Sequence, residues 1–241
     1  MKKHKIKFIA FFKNLLLLSR PHLYLGFLQH FCLTVSNTLL LSKWISNQPK
    51  DVLINDFFDG KRDHSKRYDL YDKVLKSIDN KEGFNYLEFG VCGGVSFKWW
   101  LENSKESANL YWGFDTFEGL PENWGVFKKG DMSADIPHIE DKRGQFIKGL
   151  FQDTLPTFIK ENHLNTKRNI IHLDADLFSS TLYALTSLAP YLKKGDILFF
   201  DEFNVPNHEF FAFKIFQESY YIKTRLLGAV NNYYQVAMII E

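Results

Sequence analysis

The stretch Leu87-Glu88-Phe89-Gly90-Val91-Cys92-Gly93-Gly94-Val95-Ser96 constrains this chain more than any other. An apolar run passes into a glycine-rich turn, and the turn into a helical stretch around Phe97–Asn103. Glycine permits the tight turn and lets a ligand approach the backbone, while the helix N-terminus offers free N–H groups. The spacing is not the G-x-G-x-x-G of dinucleotide sites. Glu88, at the strand end, suits a cationic or hydroxyl-rich ligand better than a pyrophosphate.

This strand–turn–helix unit belongs to a longer alternation. Strands are predicted at Tyr86–Phe89, Leu110–Phe114, Phe146–Lys148, Ile170–Leu173 and Ile197–Phe200. Helices are predicted over 66–79 and around Phe97–Asn103, Leu155–Asn162 and Leu182–Tyr191. Short apolar strands alternating with helices specify an α/β, Rossmann-like, mostly parallel sheet. The end departs from the pattern: Tyr220–Leu226 and Tyr233–Ile240, joined by Gly228–Asn232, read as a hairpin that adds an antiparallel strand. At 241 residues and 45% hydrophobic, the chain can bury one sizeable core and still carry an appendage. Its two cysteines, Cys32 and Cys92, are too few for a disulfide framework or a cysteine-based zinc site, which fits a reducing compartment.

Charge divides the chain near residue 50. The first fifty residues carry eight basic side chains (Lys2, Lys3, Lys5, Lys7, Lys13, Arg20, Lys43 and Lys50) and no Asp or Glu. The whole chain has a net charge of only +2, so the remainder is acidic. We therefore expect a basic helical extension over 1–50 and a catalytic domain over 51–241. Between Ile6 and Leu18, Phe8, Ile9, Phe11, Phe12, Leu15, Leu16 and Leu18 fall within one half of a helical wheel, and Pro21 can begin a second helix running to about Lys43. Neither stretch gives the roughly twenty clean apolar residues that cross a bilayer. No small-x-small cleavage site follows Leu18, so a signal peptide is not expected. Two readings remain open: a helical hairpin lying on an anionic membrane surface, or a helical cap that packs on the domain or builds a homo-oligomer interface.

Chemistry concentrates at strand ends. Asp115 closes Trp112-Gly113-Phe114-Asp115, where a carboxylate in Rossmann-like folds accepts hydrogen bonds from ribose hydroxyls. Asp174 and Asp176 follow one apolar run, and Asp201 and Glu202 follow another. If those strands are neighbours, Asp174, Asp201 and Glu202 converge, and such a cluster repels itself unless protons or a cation intervene. An all-oxygen set favours a hard cation such as Mg²⁺. His208, shortly after this cluster, is the candidate catalytic base because an imidazole titrates near neutrality. His172, within an apolar strand, reads as structural.

These residues together carry a resemblance. Glu88-Phe89-Gly90-Val91 with Gly94 and Ser96, then Gly113-Phe114-Asp115-Thr116-Phe117-Glu118-Gly119-Leu120-Pro121-Glu122, resemble the macrocin O-methyltransferase (TylF/MycF-type) family and its bacterial relatives. Gly149-Leu150-Phe151, Asp153-Thr154-Leu155-Pro156, Asp174-Ala175-Asp176-Leu177, Ser179-Ser180-Thr181 and Asp201-Glu202-Phe203 continue it over about residues 84–218.

The resemblance implies a class I methyltransferase fold with a seven-stranded sheet and S-adenosyl-L-methionine as cofactor. Glu88, Gly90, Gly94, Ser96, Asp115 and Thr116 form the implied cofactor site, with Asp115 on the ribose. Asp174, Asp201 and Glu202 form the implied metal site, with Asp174 also catalytic. The function expected is metal-assisted O-methylation of a sugar or other polyhydroxylated acceptor, free or lipid-linked. The alternative is a non-methylating enzyme or a membrane-attached binding module on the same fold. The expected partner is a small-molecule or glycan acceptor, with no nucleic acid. The expected location is cytoplasmic, with a peripheral position on the inner face of the membrane if the extension binds lipid.

Overall fold

All six residues of β2 (Phe84–Phe89) are buried, which is why this strand reads as a continuous run rather than an alternation. It lies inside a single eight-stranded sheet in a computed structural model that describes residues 2–79 and 81–241. The other strands are β1 (Ile54–Asn55), β3 (Leu110–Asp115), β4 (Gly144–Lys148), β5 (Arg168–Leu173), β6 (Ile197–Phe200), β7 (Thr224–Val230) and β8 (Gln235–Ile240). Their order is β1-β7-β8-β6-β5-β2-β3-β4. Only β8 runs against the rest, inserted between β6 and β7. The chain steps outward from β2 through β3 to β4, then returns to place β5 on the opposite side of β2. Loops leaving β2 and β5 therefore diverge, and the crevice between them is where open α/β sheets bind ligands.

Successive residues of β2 feed two cores. Phe84 and Tyr86 pack beneath α4 (Lys66–Ser77) and α5 (Val95–Asn103), with Tyr71, Phe97 and Trp100. Leu87 and Phe89 face α6 (Phe151–Glu161), α7 (Phe178–Leu188) and α8 (Glu209–Tyr220), with Phe158, Leu185 and Phe213. Each fully buried aromatic contributes on the order of 2–3 kcal/mol.

Several local expectations shift. The sheet has eight strands rather than seven, because the two-residue β1 pairs in parallel with β7. Gly228 lies inside β7, where the pairing register shifts, and is not part of the hairpin turn. The turn is instead made by Asn231, Asn232 and Tyr233, with φ of +55°, +59° and +65°. Asparagine tolerates this left-handed region through local hydrogen bonds. Here the asparagine side chains accept from the backbone N–H groups of Asp63 and Asp59 at 2.8 Å, which ties the segment before α4 to the turn.

At the N-terminal end, α1 (Lys2–Leu18) and α2 (His22–Leu25) contain no buried residue. By contrast α3 (Gln29–Ser46) enters the body with its second half. The Trp44 ring lies 4.9 Å from Phe203 and packs against Phe210, Phe213 and Tyr233. Leu41 is buried in the same core. Asn37 donates to Asn207 Oδ1 at 3.0 Å, and Asn207 donates to Thr34 Oγ1 at 2.7 Å. Packing thus carries the edge of the body back to about Asn37, short of the compositional break at residue 50. Among the described residues no helix is long and apolar enough to cross a membrane.

Candidate active site

The loops after β2, β3, β5 and β6 enclose a cleft of about 590 Å³, within the range of roughly 300–1,000 Å³ common for small-molecule sites. Gly90 borders it at φ +93°, and a Cβ there would lie 1.9 Å from the Asp174 carbonyl oxygen. Only glycine fits. Gly94, at φ +73°, caps α5 with Pro137 close by. Asp115 holds the turn in shape. Its Oδ2 accepts from the Val91 and Cys92 N–H groups at 2.7 and 2.8 Å, and its Oδ1 accepts from Phe117 N–H at 2.8 Å. Since a carboxylate offers about four lone-pair positions, one remains for a ligand hydroxyl. Thr116 also borders the cleft, donating to the Gly119 carbonyl at 3.0 Å.

Glu88 and Ser96 lie underneath this surface rather than on it. Both are buried, with Ser96 Oγ donating to Glu88 Oε1 at 2.8 Å and Tyr86 donating to Glu88 Oε2 at 2.5 Å. His172 continues the chain, with Nδ1 2.8 Å from the Tyr86 hydroxyl and Nε2 3.2 Å from the Tyr71 hydroxyl. Because the Tyr86 proton goes to Glu88, His172 donates from Nδ1 and accepts from Tyr71 at Nε2. Both ring nitrogens are committed to tyrosines.

The opposite wall is carboxylate-rich. Asp174, Asp176, Asp201 and Glu202 all border the cleft. Burial, then the nearby Asp201, pushes the Asp174 carboxyl well above the usual range. Burial, with Asp201 and Asp115 next, raises Asp176 to about 7. Glu202 is likewise raised by burial and by Asp174. Behind it Glu209 is raised by burial, although it accepts the Glu202 N–H at 2.9 Å. Asp201 Oδ1, Glu202 Oε2 and Glu209 Oε1 are buried without hydrogen-bond partners among the described residues. Such oxygens are costly unless protonated or bound to a cation.

One cation already faces them. Arg67, from the first turn of α4, sits 3.0 Å from Asp201 Oδ2 and borders the cleft. Burial works against its charge, but Asp201 and its neighbours more than offset this and raise its pKa. Tyr234 donates to Glu202 Oε1 at 3.2 Å. Among the described residues, His172, Asp174 and Asp201 bring possible ligand atoms within 4.8 Å of one another. Glu202 is not among that group, and both His172 nitrogens already have tyrosine partners, so the carboxylates Asp174 and Asp201 are the oxygen donors left in it.

His208 does not reach the cleft lining. It precedes α8, where its Nδ1 accepts the Phe178 N–H at 3.4 Å and its ring edge meets Trp124 at 6.3 Å. Burial lowers its pKa, opposed by Glu122. Arg67, Tyr234, Trp124 and Glu209 were not among the residues expected from the sequence. No motif marks them, since each is brought in by a helix start, a hairpin turn or a loop.

Residues 135–233 match the model of the macrocin-O-methyltransferase (TylF) family. The 8-demethyl-8-(2,3-dimethoxy-alpha-L-rhamnosyl)-tetracenomycin-C 4'-O-methyltransferase of Streptomyces olivaceus is 27% identical over 142 residues. That match covers 49% of this chain and 52% of the relative, so it spans about half of each. Among solved structures, the calicheamicin methyltransferase CalS11 superposes with a TM-score of 0.59 at 18% identity, covering 85% of this chain and 91% of its own. The O-methyltransferase NovP gives 0.54 at 20% identity, covering 72% and 79%. At these identities the structures share the fold alone. The chain thus has the class I methyltransferase fold over most of its length, and its residues 135–233 are similar in sequence to the macrocin-O-methyltransferase (TylF) family.

Proposed function

We propose that this protein is an S-adenosylmethionine-dependent O-methyltransferase acting on a hydroxyl of a sugar or other polyhydroxylated acceptor, lipid-linked in its natural form. One observation carries the reading: a single cleft joins a glycine turn bounded by Asp115 to a wall of carboxylates with unpartnered oxygens. The names of the Streptomyces relative and of CalS11 and NovP, all methyltransferases, point the same way. The basic charge of residues 1–50, with α1 and α2 unburied, supports a peripheral position on an anionic membrane.

S-adenosylmethionine supplies an electrophilic methyl group on a sulfonium, and the protein's part is to orient and deprotonate the acceptor. In this reading Gly90 admits the cofactor to the backbone and Asp115 takes one ribose hydroxyl on its free lone pair. Asp174, Asp201 and Glu202 would hold a divalent cation such as Mg²⁺, which offsets their repulsion and lowers the pKa of an acceptor hydroxyl. Asp174, on the cleft wall, accepts the acceptor proton at its carboxylate. His208, facing Phe178 and Trp124, is better suited to shaping that wall than to taking the proton.

The test is transfer of labelled methyl from S-adenosylmethionine to a panel of glycosides and glycolipids. Label should appear on oxygen, disappear in chelator, and return with Mg²⁺. Glu202→Gln should lower turnover on the order of a hundred-fold while the protein stays folded. No transfer to any hydroxyl acceptor, in protein that also fails to bind S-adenosylmethionine by calorimetry, would overturn the assignment.

A further inference from the structure

Besides the N-terminal helices, the described surface shows a second apolar projection, and it stands at the cleft mouth. Trp124 and Phe127 exchange backbone hydrogen bonds at 3.0 and 2.8 Å, closing a two-residue turn with Gly125 at φ +56°. Their rings stack at 5.3 Å, 13° from parallel. Val126, at the tip, is 89% exposed. Lys128 and Lys129 follow directly, both exposed. An exposed aliphatic tip on an aromatic pair, with lysines behind it, is the residue order of an element that enters a headgroup layer.

The position of this finger matters as much as its composition. Trp124 lies against His208, and the neighbouring Asn207 is bonded to Thr34 of α3. The finger therefore stands beside the first turns of α3, where Phe31 and Leu33 are exposed, as is Phe27 just before the helix. Trp124 and Phe127 also border the cleft. A second copy of the chain could cover such a face. A bilayer with anionic lipid is favoured by the charge of the adjoining segment, which holds eight basic and no acidic residues, whereas at the finger itself Lys128 and Lys129 are balanced by Glu122 and Asp131.

We infer that the Trp124–Lys129 finger is a second membrane-docking element, acting with the N-terminal helices, and that the cleft consequently opens onto the bilayer surface. The acceptor is then an amphiphile whose polar head enters the cleft while its lipid stays in the membrane. This rests on the peripheral-membrane reading above and goes beyond it by fixing which way the active site faces.

The test uses the full chain and vesicles of phosphatidylcholine with or without phosphatidylglycerol, carrying brominated acyl chains. Bromine quenches only tryptophans close to the acyl layer. Of the five tryptophans, Trp100 and Trp112 are buried and Trp44, Trp99 and Trp124 are half-buried, but of these Trp124 alone stands at the cleft mouth. Phosphatidylglycerol vesicles should quench the emission, and Trp124→Phe should remove most of that quenching without loss of binding. Val126→Asp should weaken vesicle affinity on the order of ten-fold, since a carboxylate would have to enter the apolar layer. If the wild type sediments with vesicles but Trp124 is not quenched and Val126→Asp binds equally well, the finger is not a docking element and the inference fails while the peripheral reading stands. If the wild type ignores both vesicle types, or self-associates through this face instead, both readings fall.

Discussion

The two walls of the cleft are built on opposite principles. On the β2–β3 side almost every polar group is satisfied: Asp115 accepts three backbone bonds, and Glu88 is held by Ser96 and Tyr86. On the β5–β6 side carboxylates outnumber their partners, and three buried oxygens have none among the described residues. The first wall is preorganised by the backbone and needs little to bind. The second is held off balance, and a proton or cation must complete it. A cleft so divided can keep one ligand in a fixed pose while leaving the chemistry of the other side adjustable by what it binds.

The preorganised wall should break most sharply at Gly90. Gly90→Ala drives a Cβ into the Asp174 carbonyl at a left-handed φ, so the loops after β2 and β5 must part. We expect a loss of about 3 kcal/mol or more in urea unfolding. Gly93→Ala, with nothing within 4 Å of the added carbon, should stay within about 1 kcal/mol of wild type. Equal losses at the two positions would mean that the turn is not rigid.

A smaller effect is expected at Asp115. Asp115→Asn keeps an oxygen for the Val91 and Cys92 amides but removes the charge and the free acceptor and turns an NH2 toward the Phe117 N–H. S-adenosylmethionine affinity by calorimetry should fall about ten-fold, with only a modest fall in melting temperature for the one lost backbone bond. A large drop in melting temperature would assign Asp115 to the scaffold and not to the ligand.

The unbalanced wall gives the smallest effect, read as stability against pH. Asp176 is raised from 3.8 to about 7, and Asp174, Glu202 and Glu209 are raised as well. In this window the folded protein binds protons that the unfolded chain has released. The stability contributed by these carboxyls is therefore present at pH 4 and is lost as pH rises toward about 7. Mg²⁺ should restore part of it, with a larger rise in melting temperature at pH 7.5 than at pH 5, because protons compete for the same oxygens. An equal Mg²⁺ effect at both values would place the cation elsewhere.

Legibility in the sequence follows the same division. The glycine turn and the strands β2, β3, β5 and β6 were readable because buried parallel strands must be apolar and their turns need glycine. Asp115, Asp174, Asp201 and Glu202 were readable as strand-end carboxylates, and all four border the cleft. Glu88 and Ser96 share a motif with Gly90 yet fall beneath the surface: strand alternation turns Glu88 under the sheet, and Ser96, in the first turn of α5, faces it there. Arg67 was hidden in the polar start of a helix, and its place follows from the bonds that tie the segment before α4 to Asn231 and Asn232 in the folded chain. α8 was missed because Phe210, Phe211, Phe213 and Phe216 give an aromatic run without a clear period. His208 looked like a base because it follows the carboxylates in sequence, but the chain turns its ring toward Phe178 and Trp124 instead.

Trp44 decides where the arm could be cut away. The indole packs against four aromatic rings, one of them Phe203, next to Glu202. A cut at the compositional break would take this half-buried indole away, at a cost of about 2 kcal/mol, and would open the floor under the carboxylate loop. A cut before Thr34 would spare it, along with the Asn37–Asn207 clamp. The arm and the enzyme body are thus not two modules joined by a linker. The second half of α3 belongs to both, so only the residues before it can be removed without opening that core.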